Sequence, residues 1–216
     1  MIQLSSSALT EIAVVGAHCD DIAIGTGGTL LTLCGMYPGL RVRGIVLSGG
    51  GTEREAEELE ALAAFCPGAN LEVAVFDIPD GRAPAYWERI KHLLSDFRKS
   101  CAPDVVFGPQ RGDAHQDHRL LAELLPTEFR DHLLLGYEIL KWENDTPHPT
   151  LFHPLESDVA EEKVRLLHKQ YPSQVFHDWF DEQAFLGITR LRGVQCRSPH
   201  AEAFVVEKAT MTFGRS

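Results

Sequence analysis

Short runs rich in Val, Ile and Leu recur along the first two thirds of the chain, each followed by a stretch in which apolar residues fall at helical spacing. That alternation admits few folds. Successive parallel strands need a crossover long enough to hold a helix, and the helices then cover both faces of the sheet. The runs at 12–17, 42–47, 71–76, 105–107 and 133–139 read as strands, and those at 29–36, 53–65, 85–100 and 117–125 read as helices. Strands this apolar are buried on both sides. The expected fold is α/β, a Rossmann-like and mostly parallel sheet with helices on both faces.

Beyond Lys141 the pattern loosens. The segment WENDTPHPTLFHP carries three prolines and several polar residues and reads as a surface loop. A charged helix over 157–169, another over 178–191 and a closing strand at 203–206 follow. With no internal repeat and a length of 216 residues, one core suffices. The expectation is a single domain over 1–216, with 141–216 as a loop-helix-strand extension of it.

Charge narrows the partners. Twenty Lys and Arg face 31 Asp and Glu, a net charge of −11, and no basic run interleaves with aromatics. Such a field repels phosphate backbones and anionic lipid, so neither nucleic acid nor membrane insertion is expected. The opening segment MIQLSSSALTEIAVVGA has no basic stretch ahead of its short apolar run, which points to a cytoplasmic protein. The five cysteines are scattered and never in CxxC, which fits a reducing compartment. Any metal must therefore be held by His and carboxylate.

Two polar clusters supply such groups. His18-Cys19-Asp20-Asp21 follows the first strand, and His115-Gln116-Asp117-His118 follows the fourth after the loop GPQRGDA. Ligands in an open α/β sheet bind beyond the carboxyl ends of the strands. Two imidazoles and a carboxylate, with a fourth position left for water, are an accepted catalytic zinc set. His18 and Asp21 can face one point from a turn, which leaves Asp20 free. A carboxylate beside an acidified water is placed to act as general base.

These residues carry a resemblance. GAHCDDIAIGTGG is similar to the AHPDDE motif, and GDAHQDHR to the HPDH motif, of the LmbE-like or PIG-L-like family of zinc-dependent N-acetylglucosaminyl deacetylases. Arg54, Glu57 and Ala61 match its R-x-x-E-x-x-x-A helix, Tyr137-Glu138 its YE strand end, and Lys163 with Ser173-Gln174 its K…SQ segment. The resemblance implies a metal-dependent N-deacetylase acting on a small amino-sugar derivative or glycoconjugate. It makes His18, Asp21 and His118 the ligands of Zn2+, or of another divalent ion such as Fe2+, and Asp20 the general base. His115 becomes the group that steadies the oxyanion and helps protonate the leaving nitrogen, with Asp117 close enough to orient or charge its imidazole. Self-association as a homo-oligomer is also implied. Two positions depart from the pattern: Cys19 stands where the family has Pro, and Ile22 where it has Glu.

Arg54, beside the loop Ser48-Gly49-Gly50-Gly51-Thr52, is a candidate for gripping substrate, with an ion pair to Glu57 or Glu58 as the alternative. Arg111 and Asp113, just before His115, are further candidates for contacting sugar hydroxyls. Thr52 and Glu55 read as a helix-capping box. Trp142 and His148 belong to a segment able to overhang the site, while His177 and the remaining histidines read as surface or capping residues. Gly25-Thr26-Gly27-Gly28 lacks the third glycine of a dinucleotide fingerprint and reads as a strand-to-helix turn. An amidase for another acyl group and a non-catalytic nucleotide-binding module are the competing readings.

Overall fold

The computed structural model describes residue 4 and residues 8–210. The outermost ends of the expected 1–216 domain lie outside the described residues. Among the described residues seven strands form one sheet: β1 (Glu11–Gly16), β2 (Arg41–Val46), β3 (Asn70–Val75), β4 (Val105–Pro109), β5 (Leu133–Tyr137), β6 (Leu151–Leu155) and β7 (His200–Val205). Their order is β3-β2-β1-β4-β5-β7-β6; the first five run parallel, and β7 is antiparallel to both of its neighbours, β5 and β6. Every residue of β1 is buried.

Helices α1 (Asp21–Met36), α2 (Glu53–Phe65), α5 (Ser157–Gln170) and α6 (Glu182–Cys196) enclose one core with Val14, Val42, Phe107 and Phe204 of the sheet. Helices α3 (Trp87–Ser100) and α4 (Gln116–Glu128) cover the other face, packing on Ala13, Val15, Ile45 and Val106. The expected α/β architecture is thus the observed one. The chain runs from β1 outward to β3 and returns to β4 on the opposite side of β1. Loops leaving β1 and β4 therefore diverge and open a crevice between them.

Three expectations are corrected. Helix α1 starts at Asp21 rather than at residue 29, so Gly25, Gly27 and Gly28 lie inside it and are not a turn. Packing explains them. A Cβ on Gly25 would stand 2.4 Å from the Tyr137 ring, on Gly27 2.7 Å from Phe65, and on Gly28 2.5 Å from Leu155. A buried ion pair, Lys163 Nζ to Glu202 Oε1 at 2.7 Å, also enters here. Lys163 donates to Ile24 O and Glu202 accepts from Gly28 N, the two groups that a regular ladder pairs with each other.

The stretch read wholly as loop ends in a strand, β6, which lies at the sheet edge, where Pro154 is tolerated because its missing donor faces no partner strand. The last helix runs over Glu182–Cys196 rather than 178–191, because the Asp181 side chain caps it, accepting from Ala184 N at 2.8 Å. The C-terminal segment shares the same sheet and core as the rest.

Candidate metal centre

β1 ends at Gly16, and α1 begins at Asp21 after four intervening residues. Asp21, first in the helix, turns its carboxylate back onto the loop, where Oδ2 accepts from Ala17 N at 2.9 Å and His18 N at 2.8 Å. Asp20 takes the left-handed conformation with φ 107°, which costs a side-chain-bearing residue about 1–3 kcal/mol. Its surroundings hold it there. Asp20 N donates to Glu58 Oε2 at 2.9 Å, and Arg54 binds both Cys19 O and, at 2.7 Å, Asp20 Oδ2.

On the other side of the crevice, His115 is the N-cap of α4, its Nδ1 accepting from Asp117 N at 3.3 Å. Asp113 Oδ1 accepts from His115 N at 2.8 Å and so ties the loop to the helix start. This places His118, buried in the first turn, against the β1 loop.

There the two clusters meet. His18 Nδ1 lies 3.1 Å from His118 Nε2, His118 Nε2 lies 3.3 Å from Asp21 Oδ2, and His18 Nδ1 lies 3.5 Å from the same oxygen. A tetrahedral zinc with bonds of about 2.0–2.1 Å sets its ligands roughly 3.3–3.4 Å apart, which this triangle matches. The far ring nitrogens face carboxylates. His18 Nε2 faces Asp80 Oδ1 at 2.9 Å and Asp117 Oδ2 at 3.3 Å, and His118 Nδ1 faces Asp113 Oδ2 at 3.0 Å, though off the line of a good hydrogen bond. Carboxylates on the far nitrogens turn both lone pairs toward the centre. Two lone pairs and a carboxylate converging on one point could hold a cation between them.

The electrostatics say the same. Burial opposes a charged His118, yet the carboxylates of Asp21 and Asp113 push it up to about 9. His18 is likewise raised well above the ordinary value, against its burial, by Asp117, Asp21 and Asp80. Two other groupings share His18: with His115 and His118, and with Asp80 and Asp117. In the first of these His115 Nδ1 also serves its own helix, and in the second Asp80 is largely exposed. The donor set thus suits a divalent metal ion at His18, Asp21 and His118.

Asp20 lines the same cleft, and burial pushes its carboxyl up to about 7 against the downward pull of Arg54. Arg54 also reaches Glu57 at 2.7 Å and Ser173 at 2.8 Å, so the ion-pair alternative is realised while the guanidinium still borders the cleft. His115, depressed by burial and by the two neighbouring imidazoles, stays neutral. With Nδ1 accepting, its proton sits on Nε2.

Several expected roles change. Asp117 stands on His18 rather than on His115, because its carboxylate is turned away by the amides of Gly81 and Ala83. Arg111 points out of the site and pairs with Glu207 on the surface. Asp113, buried and facing His118, does not line the cleft where it would meet a sugar hydroxyl. Cys19, by contrast, is the packed thiol that a set of His and carboxylate ligands leaves it to be, lying against Gly49 and donating to Ser48 O at 3.3 Å. Thr52 caps α2 through Arg54 N, but Glu55 reaches Gly51 N rather than closing a full box. The glycines of α1 are sealed by Tyr137, Phe65 and Leu155, so they cradle no nucleotide. His148 is exposed and outside the cleft wall, whereas Trp142 forms part of it.

Asp80, Lys141 and Trp179, which the sequence left unmarked, also line the cleft, whose volume is about 760 Å³, together with Gln174 of the SQ pair and His177, which was read only as a surface or capping residue. Glu58, fully buried behind Asp20, accepts from Tyr171 Oη at 2.7 Å, and burial pushes its carboxyl up to about 8. Its signal was present. Positions 54, 58, 61, 62 and 65 fall on one face of α2, so a carboxylate at 58 interrupts an inward stripe.

Solved structures share this fold. A conserved protein from Thermus thermophilus superposes with a TM-score of 0.73 at 24% identity, covering 97% of this chain and 100% of that one. An N,N'-diacetylchitobiose deacetylase from Pyrococcus horikoshii gives 0.68 at 20%, covering 92% and 84%. A 4-carboxy-2-hydroxymuconate hydratase from Pseudomonas putida gives 0.69 at 18%, covering 96% and 100%. One fold therefore carries more than one reaction, and the site must decide between them. No helix among the described residues is long and apolar enough to cross a membrane. The family model for GlcNAc-PI de-N-acetylase, PIG-L, matches residues 13–127, which include His18, Asp20, Asp21, His115 and His118, and the chain belongs to that family.

Proposed function

We infer that the chain is a zinc-dependent N-deacetylase that hydrolyses the acetamide of an amino-sugar derivative, releasing acetate and a free amine. The carrying observation is the triangle of His18 Nδ1, Asp21 Oδ2 and His118 Nε2, with Asp20 and His115 beside it on the same cleft. Two imidazoles and one carboxylate suit zinc, though another divalent ion such as Fe2+ accepts the same donors. When bound there, the ion supplies Lewis acidity, polarising an acyl oxygen and acidifying water.

The chain's own groups do the rest. Asp20, with a carboxyl near 7, takes a proton from attacking water and can return it to the departing nitrogen. Arg54 occupies Oδ2 of that carboxylate and fixes its direction. Neutral His115 offers its Nε2 proton to the oxygen on which negative charge develops. Since Asp117 is committed to His18, His115 lacks the partner that would charge it, and delivery of the proton to nitrogen falls to Asp20. Five free cysteines, four of them buried, agree with a reducing compartment such as the cytoplasm.

The test is acetate release from a panel of N-acetylated sugars and glycosides by metal-loaded and chelated protein. Acetate appearing only with metal, and lost in Asp20→Asn, supports the assignment. Amine without acetate points to a different acyl group, and hydrolysis unaffected by chelation removes the metal from the reaction.

A further inference from the structure

Asp20 is held by more than its side chain. Its amide and the carbonyl of Cys19 belong to one peptide unit, and each end of that unit has a partner. Asp20 N donates to Glu58 Oε2 at 2.9 Å, and Cys19 O accepts from Arg54. The next peptide unit is fixed by the helix that follows, where Asp20 O accepts from Ile24 N at 2.9 Å. Peptide units are planar, so anchoring both of them fixes φ and ψ at Asp20 and, with them, the direction of its side chain. The φ of 107° is enforced rather than preferred, since a strained conformation persists only where its surroundings over-determine it.

The two partners divide the work. Arg54 borders the cleft and binds the Asp20 carboxylate, at 2.7 Å, as well as the Cys19 carbonyl. Glu58 takes the amide alone, is 0% exposed and does not line the cleft. Its Oε2 also accepts from Tyr171 Oη at 2.7 Å. Tyr171, equally buried at the C-terminal end of α5, sets its ring 5.6 Å from the Arg54 guanidinium and so braces both groups that hold Asp20. A fully buried acid is a costly way to fill an inward helix position. The shared oxygen of Glu58 meets only neutral donors, an amide and a hydroxyl, and its Oε1 has no hydrogen-bond partner among the described residues. An acceptor for the Asp20 amide is what an aliphatic residue at 58 would fail to supply.

Resting on the deacetylase reading, in which Asp20 is the general base, we propose that Glu58 and Tyr171 are positioning residues for the reaction. They aim the Asp20 carboxylate at the cleft through its backbone, from a place where neither meets substrate. A base displaced by about 1 Å loses on the order of 100-fold in rate. Because neither residue forms the cleft wall, that loss falls on kcat and leaves KM alone.

Variants of the two residues test this. The probes are N-acetylglucosamine and its methyl glycoside, with kcat and KM read from acetate release by zinc-loaded protein and kcat expressed per bound ion. Glu58→Leu should lower kcat about 10–100-fold with KM and zinc content unchanged. Glu58→Gln, which keeps a carbonyl oxygen for both donors, should recover most of that loss. Tyr171→Phe keeps the ring beside Arg54 and removes only the hydroxyl, so kcat should fall about 3–10-fold, and this variant decides the matter if Glu58→Leu does not fold. A residue that merely packs α2 against its neighbours would reduce the folded, metal-loaded fraction instead. Unchanged kcat per bound ion in Glu58→Leu and Tyr171→Phe, or a Glu58→Gln protein no faster than Glu58→Leu, overturns the positioning. A crystal structure of Glu58→Leu reads the same claim without turnover, because Asp20 should leave its left-handed conformation. Displacement of Asp20 with no acetate from wild type retains the positioning and removes the deacetylase reading, whereas acetate release by wild type with Asp20 unmoved in the variant does the reverse.

Discussion

Asp117 Oδ2 stands 3.3 Å from Nε2 of His18, 99 residues away in sequence, rather than on the imidazole of His115 two positions before it. The amides of Gly81 and Ala83 hold the carboxylate in that direction. Asp117 therefore supports His18, as Asp113 supports His118, and under the proposed assignment both imidazoles are metal ligands. Asp117→Asn and Asp113→Asn should each weaken zinc affinity by about 10–100-fold, measured by competition with a chromophoric chelator. An Asp117→Asn protein with native affinity and a changed rate alone would return Asp117 to His115.

Metal binding should release protons. Without an ion, His118 holds its second proton up to about pH 9, and the raised pKa of His18 acts in the same direction. Below those values an incoming ion must displace protons, so affinity rises with pH and levels once both rings are neutral. Calorimetric titrations in buffers of differing ionisation enthalpy report the number released. A pH-independent affinity between about 6 and about 9 contradicts the assigned ligands.

Arg54 sets the working range of Asp20. Burial raises that carboxyl and the guanidinium opposes the rise, leaving it at about 7. Removing the cation in Arg54→Met disfavours the charged form, so the pKa climbs further and the ascending limb of the kcat/KM profile moves to higher pH. The rate at neutral pH should fall, and part of the loss should be recovered in alkaline buffer. An unchanged ascending limb assigns that limb to another group.

The glycines of α1 make a paired stability test. Gly35 has nothing within 4 Å of an added Cβ, so Gly35→Ala should stabilise the fold by about 0.5–1 kcal/mol through helix propensity. Gly25→Ala makes the same gain but drives a methyl into Tyr137, whose hydroxyl donates to Val15 O at 2.6 Å and so cannot withdraw freely. Overpacking of this kind costs about 1–3 kcal/mol, and the net effect should be destabilising in urea titrations.

Sequence and structure part company at particular places. Strand-helix alternation carried the sheet, because apolar runs of β-branched residues bounded by loops have few other folds, and the motif spacing marked His18, Asp21 and His118, which the fold brings together. The start of α1 was hidden because Gly25, Gly27 and Gly28 are turn formers by local preference. Only the rings of Tyr137 and Phe65 and the side chain of Leu155, all distant in sequence, explain them. Asp117 and Arg111 were misjudged for a related reason: position near His115 says nothing about direction, which backbone amides and a surface partner decided. Glu58 was legible as a carboxylate on an inward helix face. Asp80, His177 and Trp179 were not, since they reach the cleft from loops without a local pattern.

The central claim is that His18, Asp21 and His118 hold the one ion on which hydrolysis depends. Metal content of the purified protein, measured beside acetate release, tests it most directly. Wild type and Asp20→Asn should each carry about one divalent ion per chain, with turnover only in the wild type, while His118→Ala should lose both ion and turnover. An ion retained in His118→Ala, or full turnover in Asp20→Asn, would contradict it.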